Sequence, residues 1–266
     1  MKKKNWVYYI LIAMMLIFFY APIFITILFS FNASRSLTHW SGFSWQWYQK
    51  LFTSRDVLAS FRVTLLVALV STLVSTILGT LSAIGLTQHR HSLKRYVMSF
   101  NNLPVMNPEI VTAISFMLLF LSFPLFEKGL VTVMIAHITF STPYVILTVL
   151  PKLKMIDSGS MEAAMDLGAN PWQALYKVLL PQLMPAIISA ALIAFTMSFD
   201  DFVITYFVTG NGVSNLSILV YTMAKRINPS INALSTMLII GITVVLISIN
   251  VIPVLKSKRR KVGYEA

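Results

Sequence analysis

Apolar runs of about 20 residues or more recur along this chain, and they constrain its fold more than any other feature. The first run reads WVYYILIAMMLIFFYAPIFITILFSF. A helix of about 20 apolar residues crosses the hydrocarbon core of a bilayer. Hydrophobic residues make up 57% of the chain and charged residues only 11%. Soluble domains carry about 25% charged residues. The sequence therefore predicts an all-α polytopic membrane protein.

The runs predict six transmembrane helices in a single transmembrane domain that covers residues 1–266. Their approximate bounds are 6–31, 64–87, 96–122, 129–150, 183–208 and 233–255. We interpret the first run as a retained span and not as a signal peptide, because its apolar stretch is too long and no small-residue cleavage site follows it. An external loop is expected at 32–63.

Lysine and arginine are unevenly distributed between the two sets of loops and termini that six spans create. The set that contains both termini and the loop 157–182 carries 14 of these residues, and the other set carries 7. Positive residues are enriched on the cytoplasmic side, so we expect both termini and this loop to be cytoplasmic. The net charge of +12 does not indicate nucleic-acid binding, because the charges lie at the ends of apolar runs.

Several chemistries are excluded or disfavoured by what the sequence lacks. The chain has no cysteine, which excludes disulfides, thiolate metal sites and cysteine nucleophiles. It has no G-x-x-x-x-G-K-[ST] loop for nucleotide phosphates, and no histidine pairs with a glutamate at metal-binding spacing. We therefore expect no metal site, no cofactor bound by this chain, and no enzyme activity of its own.

The loop SMEAAMDLGANPWQALYKVLLPQLMPA combines helix caps and breakers in a regular order. Ser160 is predicted to cap a short helix that Gly168 ends in the left-handed conformation. Asn170 is predicted to cap a second short helix, with Pro171 at its first position and Pro181 at its end. We expect two short helices joined by a tight corner, a shape suited to the groove of a soluble partner.

The spacing in this loop resembles a known motif. Glu162-Ala163-Ala164, three residues, Gly168, nine residues and then VLLP resemble the EAA loop of ABC importer permeases, E-A-A-x3-G-x9-I-x-L-P. Val178 in place of Ile is the one departure. The stretches SFNAS, PVMNPEIVTAIS, HITFSTPYVI, SFDDFVITYFVTG and INALSTMLI resemble the PotC-type permeases of spermidine/putrescine importers.

This resemblance implies a fold, partners and a location. The fold would be that of type I ABC importer permeases, in a bacterial cell membrane. The partners would be a second, PotB-like permease, two PotA-like ATPases that bind ATP and Mg, and a PotD-like binding protein outside the membrane. The residues implied in coupling to the ATPases are Glu162, Ala163, Ala164, Asp166, Gly168 and Pro181.

Three acidic residues, Glu109, Asp200 and Asp201, fall within predicted spans. A carboxylate near the bilayer centre costs at least about 2.5–3.5 kcal/mol, so it is expected to face a transport path or a partner. Pro104 and Pro108 are expected to kink the helix beside Glu109. An alternative for Glu109 is a bond to neighbouring asparagines or to another subunit.

A polyamine would need carboxylates for its ammonium groups and aromatic faces for its methylene chain. Asp200, Asp201 and Glu109 would supply the first, and Trp47 and Tyr48 the second. Aromatic residues at these positions are also typical of a membrane-interface belt. The family resemblance further implies that Trp47, Glu109, Ser198, Asp200 and Asp201 occupy positions tied to polyamine passage.

Two helices carry small residues at every fourth position. One row consists of Ser71, Ser75, Gly79 and Ala83, and the other of Ala186, Ala190, Ala194 and Ser198. Such rows favour close helix packing, and the second could instead line a polar path. His137 is predicted to make a helix–helix hydrogen bond, the alternative being a proton relay.

The resulting hypothesis is a permease that imports polyamines by alternating access, driven by separate ATPases. Three alternatives remain: an ABC permease for another small cationic solute, an ion-coupled transporter or channel that uses the acids as a relay, and a membrane-embedded enzyme, for which no motif is visible.

Overall fold

The computed structural model describes residues 6–36, 38–88, 91–123, 127–157, 159–210, 213–226, 228–244 and 247. Helices dominate these residues, and the extended pairing among them is an isolated bridge between Asn32 and Phe43. The all-α expectation is confirmed. The chain divides into two compact units, Met1–Val57 with Val220–Ala266 and Leu58–Leu219.

The first unit contains α1 (Trp6–Phe29), α2 (Gln46–Thr53) and α12 (Ser230–Val244). None of the α1 side chains is buried, and its apolar sequence is suited to lipid or to another membrane subunit. The connection from α1 to α2 is organised by Asn32, whose side chain donates to the carbonyls of Ser36 and His39 and accepts from the N–H of Ser41. Of the predicted span 233–255, residues 233–244 and 247 are described, and the others lie outside the described residues.

The second unit holds the remaining helices, apart from the first residues of α3 and the last of α11, which lie in the first unit. They are α3 (Arg55–Gln88), α4 (His91–Met106), α5 (Glu109–Ser122), α6 (Leu130–Met155), α7 (Gly159–Asp166), α8 (Pro171–Ala174), α9 (Leu180–Asp200), α10 (Val203–Val208) and α11 (Leu216–Lys225). The helix α3 begins well before the predicted residue 64, because no Gly or Pro interrupts the more polar segment that precedes its apolar stretch.

The helix α6 forms the centre of this unit, and residues from both predicted rows of small side chains, on α3 and α9, pack against it. Ala190 and Ala194 on α9 are fully buried in a cluster with Val145 and Val149 of α6. A Cβ atom added at Gly79 would lie 2.6 Å from Cβ of Val145. Small side chains let helix backbones approach in this way, so the predicted close packing is confirmed.

Two of the predicted spans are broken. The helices α4 and α5 replace the span 96–122 and meet at a bend of 107° around Asn107 and Pro108. Pro108 disfavours helical geometry at the residue before it and lacks a donor of its own. The span 183–208 is likewise interrupted at Asp201, whose φ of −61° and ψ of 130° are extended. The prediction of one continuous helix through residue 208 is wrong at this point.

Four described helices are long and apolar enough to cross a membrane, or five if the bent pair α4–α5 counts as one span. These are α1, α3, α6 and the continuous helical stretch Pro171–Asp200. The count of six crossings therefore stays a prediction.

The loop 157–182 departs from the sequence interpretation at two points. The helix α7 begins at Gly159, so Ser160 lies inside it and does not cap it. Oδ1 of Asp157 instead accepts the N–H of Gly159 at 3.1 Å. Pro181 does not end a helix, because Leu175–Leu179 form a π-helical turn that leads directly into α9. The N–H of Leu180 bonds the carbonyl of Leu175, five residues earlier. Pro181 follows this change of register, and as a residue without an N–H it is tolerated there.

Candidate functional site

The two helix breaks lie side by side and bring acidic residues together. Glu109 is the first residue of α5, and Asp200 is the last residue of α9. The helices α5 and α10, which begin just after the two breaks, pack against each other. Glu109 is close enough to Asp200 and Asp201 to interact with both electrostatically. The structure therefore brings together the three acids that the sequence singled out.

The acids share a cleft of about 410 Å³. It is lined by Pro104, Asn107, Glu109, Phe140, Tyr144, Thr196, Met197, Asp200, Asp201, Phe202 and Val203. Three of these residues are aromatic, and Asn107 and Thr196 add neutral polar groups. The cleft thus combines negative charge with aromatic and apolar walls. A cation that carries an apolar chain is the kind of solute that suits such a wall.

Glu109 and Asp200 differ from Asp201 in their surroundings. Both are exposed, and among the described residues neither has a lysine or arginine within ion-pair distance. Asp201 has a side chain that is 1% exposed, and its Oδ2 lies 3.2 Å from Nε2 of His137. Two acids are therefore accessible from the cleft, and the third is enclosed.

Asp201 is enclosed because it caps α10. Its Oδ1 accepts the N–H of Ile204 at 3.1 Å, and its Oδ2 accepts the N–H and the hydroxyl of Thr205 at 2.8 and 2.6 Å. A side-chain oxygen that accepts from the first turn satisfies donors that the helix itself leaves free. Asn215 supports the same residue by donating to the backbone carbonyl of Asp201 at 2.8 Å.

His137 joins three helices, which confirms the predicted helix–helix hydrogen bond. Its Nδ1 lies 2.7 Å from the hydroxyl of Ser198 on α9, and its Nε2 lies 3.0 Å from the hydroxyl of Thr205 on α10. The hydroxyl of Ser198 lies 2.8 Å from that of Ser71 on α3. Ser198 is thus buried behind the cleft and is not among the residues that line it.

Trp47 and Tyr48 belong to the other compact unit. The indole N–H of Trp47 donates to the carbonyl of Asn32 at 2.7 Å, and Nζ of Lys50 lies 5.6 Å from the centre of its ring. The hydroxyl of Tyr48 lies 2.7 Å from that of Ser30. Both side chains therefore hold the segment between α1 and α2 in place, and their contact with cargo stays a prediction.

Eight of the eleven cleft residues were not predicted as site residues, and four of these carry a polar group or an aromatic ring of particular interest: Asn107, Phe140, Tyr144 and Phe202. A signal for Tyr144 is present in the sequence, because a tyrosine in the middle of an apolar span is far from the interfaces where tyrosine is usually found. Phe140 lies one helical turn before it and shares its face. For the other two, the sequence offers no such signal, because their positions depend on the two breaks.

The predicted corner after α7 is present. Gly168 has a φ of +93°, its N–H bonds the carbonyl of Met165 at 2.9 Å, and the N–H of Ala169 bonds the carbonyl of Ala164 at 3.0 Å. This pair of bonds is a Schellman motif. The capping box of Asn170 and Gln173 is also present, with bonds of 2.8 and 3.0 Å. These two predictions are confirmed.

The corner and the start of α8 expose apolar side chains. Leu167 is 91% exposed, Trp172 is 77% exposed and Tyr176 is 70% exposed. The acidic residues Glu162 and Asp166 are exposed on α7 beside them. Large apolar groups exposed together with charges are typical of a surface that another protein covers.

The described residues contain no group of three or more acidic or histidine side chains placed to hold a metal ion.

Comparison with known proteins places this chain in a family. Residues 75–260 match the family described as "Binding-protein-dependent transport system inner membrane component". The putrescine transport system permease protein PotI of Escherichia coli (strain K12) is 36% identical over 236 residues, which cover 86% of this chain and 84% of PotI. The spermidine/putrescine transport system permease protein PotC of the same strain is 36% identical over 242 residues, which cover 91% of each chain.

Solved structures agree with this match at the level of the fold. A bacterial ABC transporter involved in the import of the acidic polysaccharide alginate aligns with a TM-score of 0.72 over 94% of each chain, at 16% identity. An amino acid ABC transporter aligns with a TM-score of 0.55 over 80% of this chain and 95% of that chain, at 17% identity. This chain is therefore a multi-pass membrane permease that belongs to the family of binding-protein-dependent transport system inner membrane components.

Proposed function

We propose that this chain is the permease subunit of an ATP-driven importer that moves polyamines, such as spermidine or putrescine, into a bacterial cell by alternating access. The observation that carries the proposal is the acidic, aromatic-walled cleft at the two adjoining helix breaks. Broken helices beside charged groups near the middle of a membrane are typical of transport sites. The names of the relatives PotI and PotC support the cargo class.

The chemistry of a polyamine matches the cleft. Its ammonium groups would bond the exposed carboxylates of Glu109 and Asp200, and its methylene chain would pack on the rings of Phe140, Tyr144 and Phe202. Because the cleft is open, these contacts are expected to be weak and sequential, so that cargo does not stall. High affinity would then reside in the external binding protein.

The corner after α7 would couple this cleft to ATP hydrolysis. Its apolar side chains, led by Leu167 and Trp172, would enter a groove of a cytoplasmic ATPase, with Glu162 and Asp166 at the rim. The complex would contain a second permease subunit, two ATPases that bind ATP and Mg, and a substrate-binding protein outside the membrane. Both termini of this chain would then be cytoplasmic, as the distribution of lysine and arginine predicts.

The direct test is uptake of radiolabelled putrescine and spermidine by host cells that lack this chain, with and without the chain restored. Restored cells are expected to take up at least one of these amines, and the Glu109→Gln variant is expected to lose that uptake. Thr139→Val is a matched control, because Thr139 is exposed on α6 and its hydroxyl bonds only its own helix at Ile135. Uptake equal in both strains would contradict the proposal.

The energy source separates this function from ion-coupled transport. Depletion of ATP should abolish uptake, whereas an uncoupler should leave most of it while ATP is maintained. The opposite result would favour a relay through Glu109, Asp200 and Asp201. Competition by unlabelled cationic solutes in the same assay identifies the cargo, and a diamine or triamine that fails to compete would indicate another small cation.

A further inference from the structure

The carboxylate of Asp201 has little capacity left for a cargo ammonium group. It accepts three hydrogen bonds from Ile204 and Thr205. Nε2 of His137 lies 3.2 Å from Oδ2, the oxygen that accepts both bonds from Thr205. An ionised carboxylate offers about four lone-pair sites, and these contacts fill most of them. Asp201 borders the cleft and lies close enough to Glu109 to interact with it electrostatically, but its side chain is only 1% exposed.

His137 is placed to hold Asp201 in this position. Its side chain is 2% exposed. It lies on α6, the central helix of the unit, and α6 contains neither of the two segments that meet at the break. One ring nitrogen contacts Ser198 just before the break, and the other contacts Asp201 in the break and Thr205 just after it. A single rigid ring therefore fixes both sides of the interruption between α9 and α10.

The network continues on both sides of the imidazole. Ser198 is bonded to Ser71 of α3, whose hydroxyl also lies 2.6 Å from the carbonyl of Val67. On the far side, Asn215 holds the carbonyl of Asp201. Buried polar groups that are connected in this way resist rearrangement, because any one of them left without a partner is costly.

Asp200 lies on the opposite side of this arrangement. It is the neighbour of Asp201, yet it is exposed on the cleft with Glu109. Its backbone carbonyl lies 3.4 Å from the hydroxyl of Ser217, which is a weak restraint by comparison.

We propose that His137 is a positioning residue that closes Asp201 into the helix break, so that Glu109 and Asp200 alone are the acids presented to cargo. The His137–Asp201 pair acts as one internal unit, and its carboxylate is held by protein donors and not by cargo. Ser198, which the sequence suggested for the path itself, belongs to this positioning unit. The inference rests on the proposed function of the cleft as a cargo site, and it assigns separate roles to the two adjacent aspartates.

The absence of cysteine from the chain makes a direct electrostatic test possible. Thr196→Cys introduces one thiol at an exposed position of the cleft wall. In the assembled complex in membranes, this thiol is labelled with a cationic trimethylammonium methanethiosulfonate and, separately, with the anionic sulfonate analogue. The ratio of the two labelling rates reports the local potential, since negative charge near the thiol attracts the first reagent and repels the second.

Glu109→Gln and Asp200→Asn are each expected to lower this ratio by at least about threefold, because each removes an exposed charge close to the thiol. Asp201→Asn is expected to lower it less than Asp200→Asn does, because Asp200 lies one helical turn after position 196 on the same face of α9, whereas the carboxylate of Asp201 is held inward. In the His137→Phe background, Asp201→Asn should lower the ratio further, because the carboxylate is no longer held inward. A drop in ratio for Asp201→Asn equal to that for Asp200→Asn, with His137 in place, would overturn the inference.

Rescue by a conservative variant gives a second readout. His137→Gln keeps a donor and an acceptor, so its labelling ratio should remain less sensitive to Asp201→Asn than to Asp200→Asn, and its uptake should exceed that of His137→Phe. If His137→Phe fails to assemble, the comparison among Asp200→Asn, Asp201→Asn and His137→Gln still decides the matter. Labelling does not require polyamine transport. A complex that takes up no polyamine but shows the expected labelling pattern would therefore refute the proposed function and leave this inference standing.

Discussion

Replacement of Gly168 tests whether the corner after α7 transmits force or merely connects two helices. The glycine has a φ of +93°, and a Cβ atom added to it would meet no other atom within 4 Å. A substitution therefore costs backbone conformational energy and creates no clash. That cost is roughly 1–2 kcal/mol for a residue with a Cβ in the left-handed region. Branching at Cβ, as in Gly168→Val, makes the conformation rarer still.

A penalty of one to two kcal/mol shifts the balance between the observed corner and competing conformations by roughly 5–30-fold. Opening the corner breaks the bonds from Gly168 to Met165 and from Ala169 to Ala164. The direction of α7 relative to α8 then varies, and Leu167 is no longer held toward the proposed ATPase partner. ATP hydrolysis is expected to continue, while the amount of cargo moved for each ATP falls.

The assay measures ATP hydrolysis and cargo uptake in the same proteoliposomes, with the complete complex and its binding protein. Gly168→Val should lower the ratio of uptake to hydrolysis several-fold, and Gly168→Asn should remain near the wild type, because asparagine tolerates the left-handed region. Gly85→Ala is the matched control, since Gly85 is a helical glycine with open space around it and no positive φ. A wild-type ratio in Gly168→Val, or equal damage from Asn and Val, would refute the reasoning.

Three further predictions concern packing, capping and charge. Gly79→Ala places a Cβ 2.6 Å from Cβ of Val145, so it should lower the thermal stability of the purified complex, by about 1–3 kcal/mol; unchanged melting would show that α3 and α6 are farther apart. Asn170→Ala removes the capping bond to the N–H of Gln173 and should cost about 0.5–2 kcal/mol, visible as faster proteolysis of the corner, whereas Asn170→Ser should not. Asp200→Asn should reduce uptake at least about tenfold without loss of assembly, because a charged hydrogen bond contributes about 1.5–3 kcal/mol; normal uptake would remove Asp200 from the path.

The corner could be predicted closely because its determinants are local. Gly168 ends a helix for reasons contained in its own backbone, and the box of Asn170 with Gln173 needs only residues three positions apart. Pro181 could not be predicted in the same way. Whether a proline ends a helix or continues it depends on the hydrogen-bond register before it, and the π-helical turn at Leu175–Leu179 supplies a register that the pattern of residue types does not reveal.

The acids of the cleft were found because their cost in a membrane is visible in the sequence. Any carboxylate inside an apolar run needs an explanation, and that argument applies equally to Glu109, Asp200 and Asp201. Their different roles were not visible. No lysine, arginine or histidine lies near Asp200 and Asp201 along the chain, whereas His137 reaches Asp201 from a different helix.

The sequence by itself determined the membrane-spanning helical class, the small residues that bring helices together, and the geometry of the corner. Each of these follows from composition or from residues within one or two turns of each other, where physical chemistry acts locally. Only the tertiary structure decided that the two breaks adjoin, that aromatic side chains from α6 wall the cleft, and that of two successive aspartates one is exposed and the other enclosed. Those outcomes depend on partners more than sixty residues away in the chain, such as the ring of His137 beside Asp201, and no local pattern encodes such a distance.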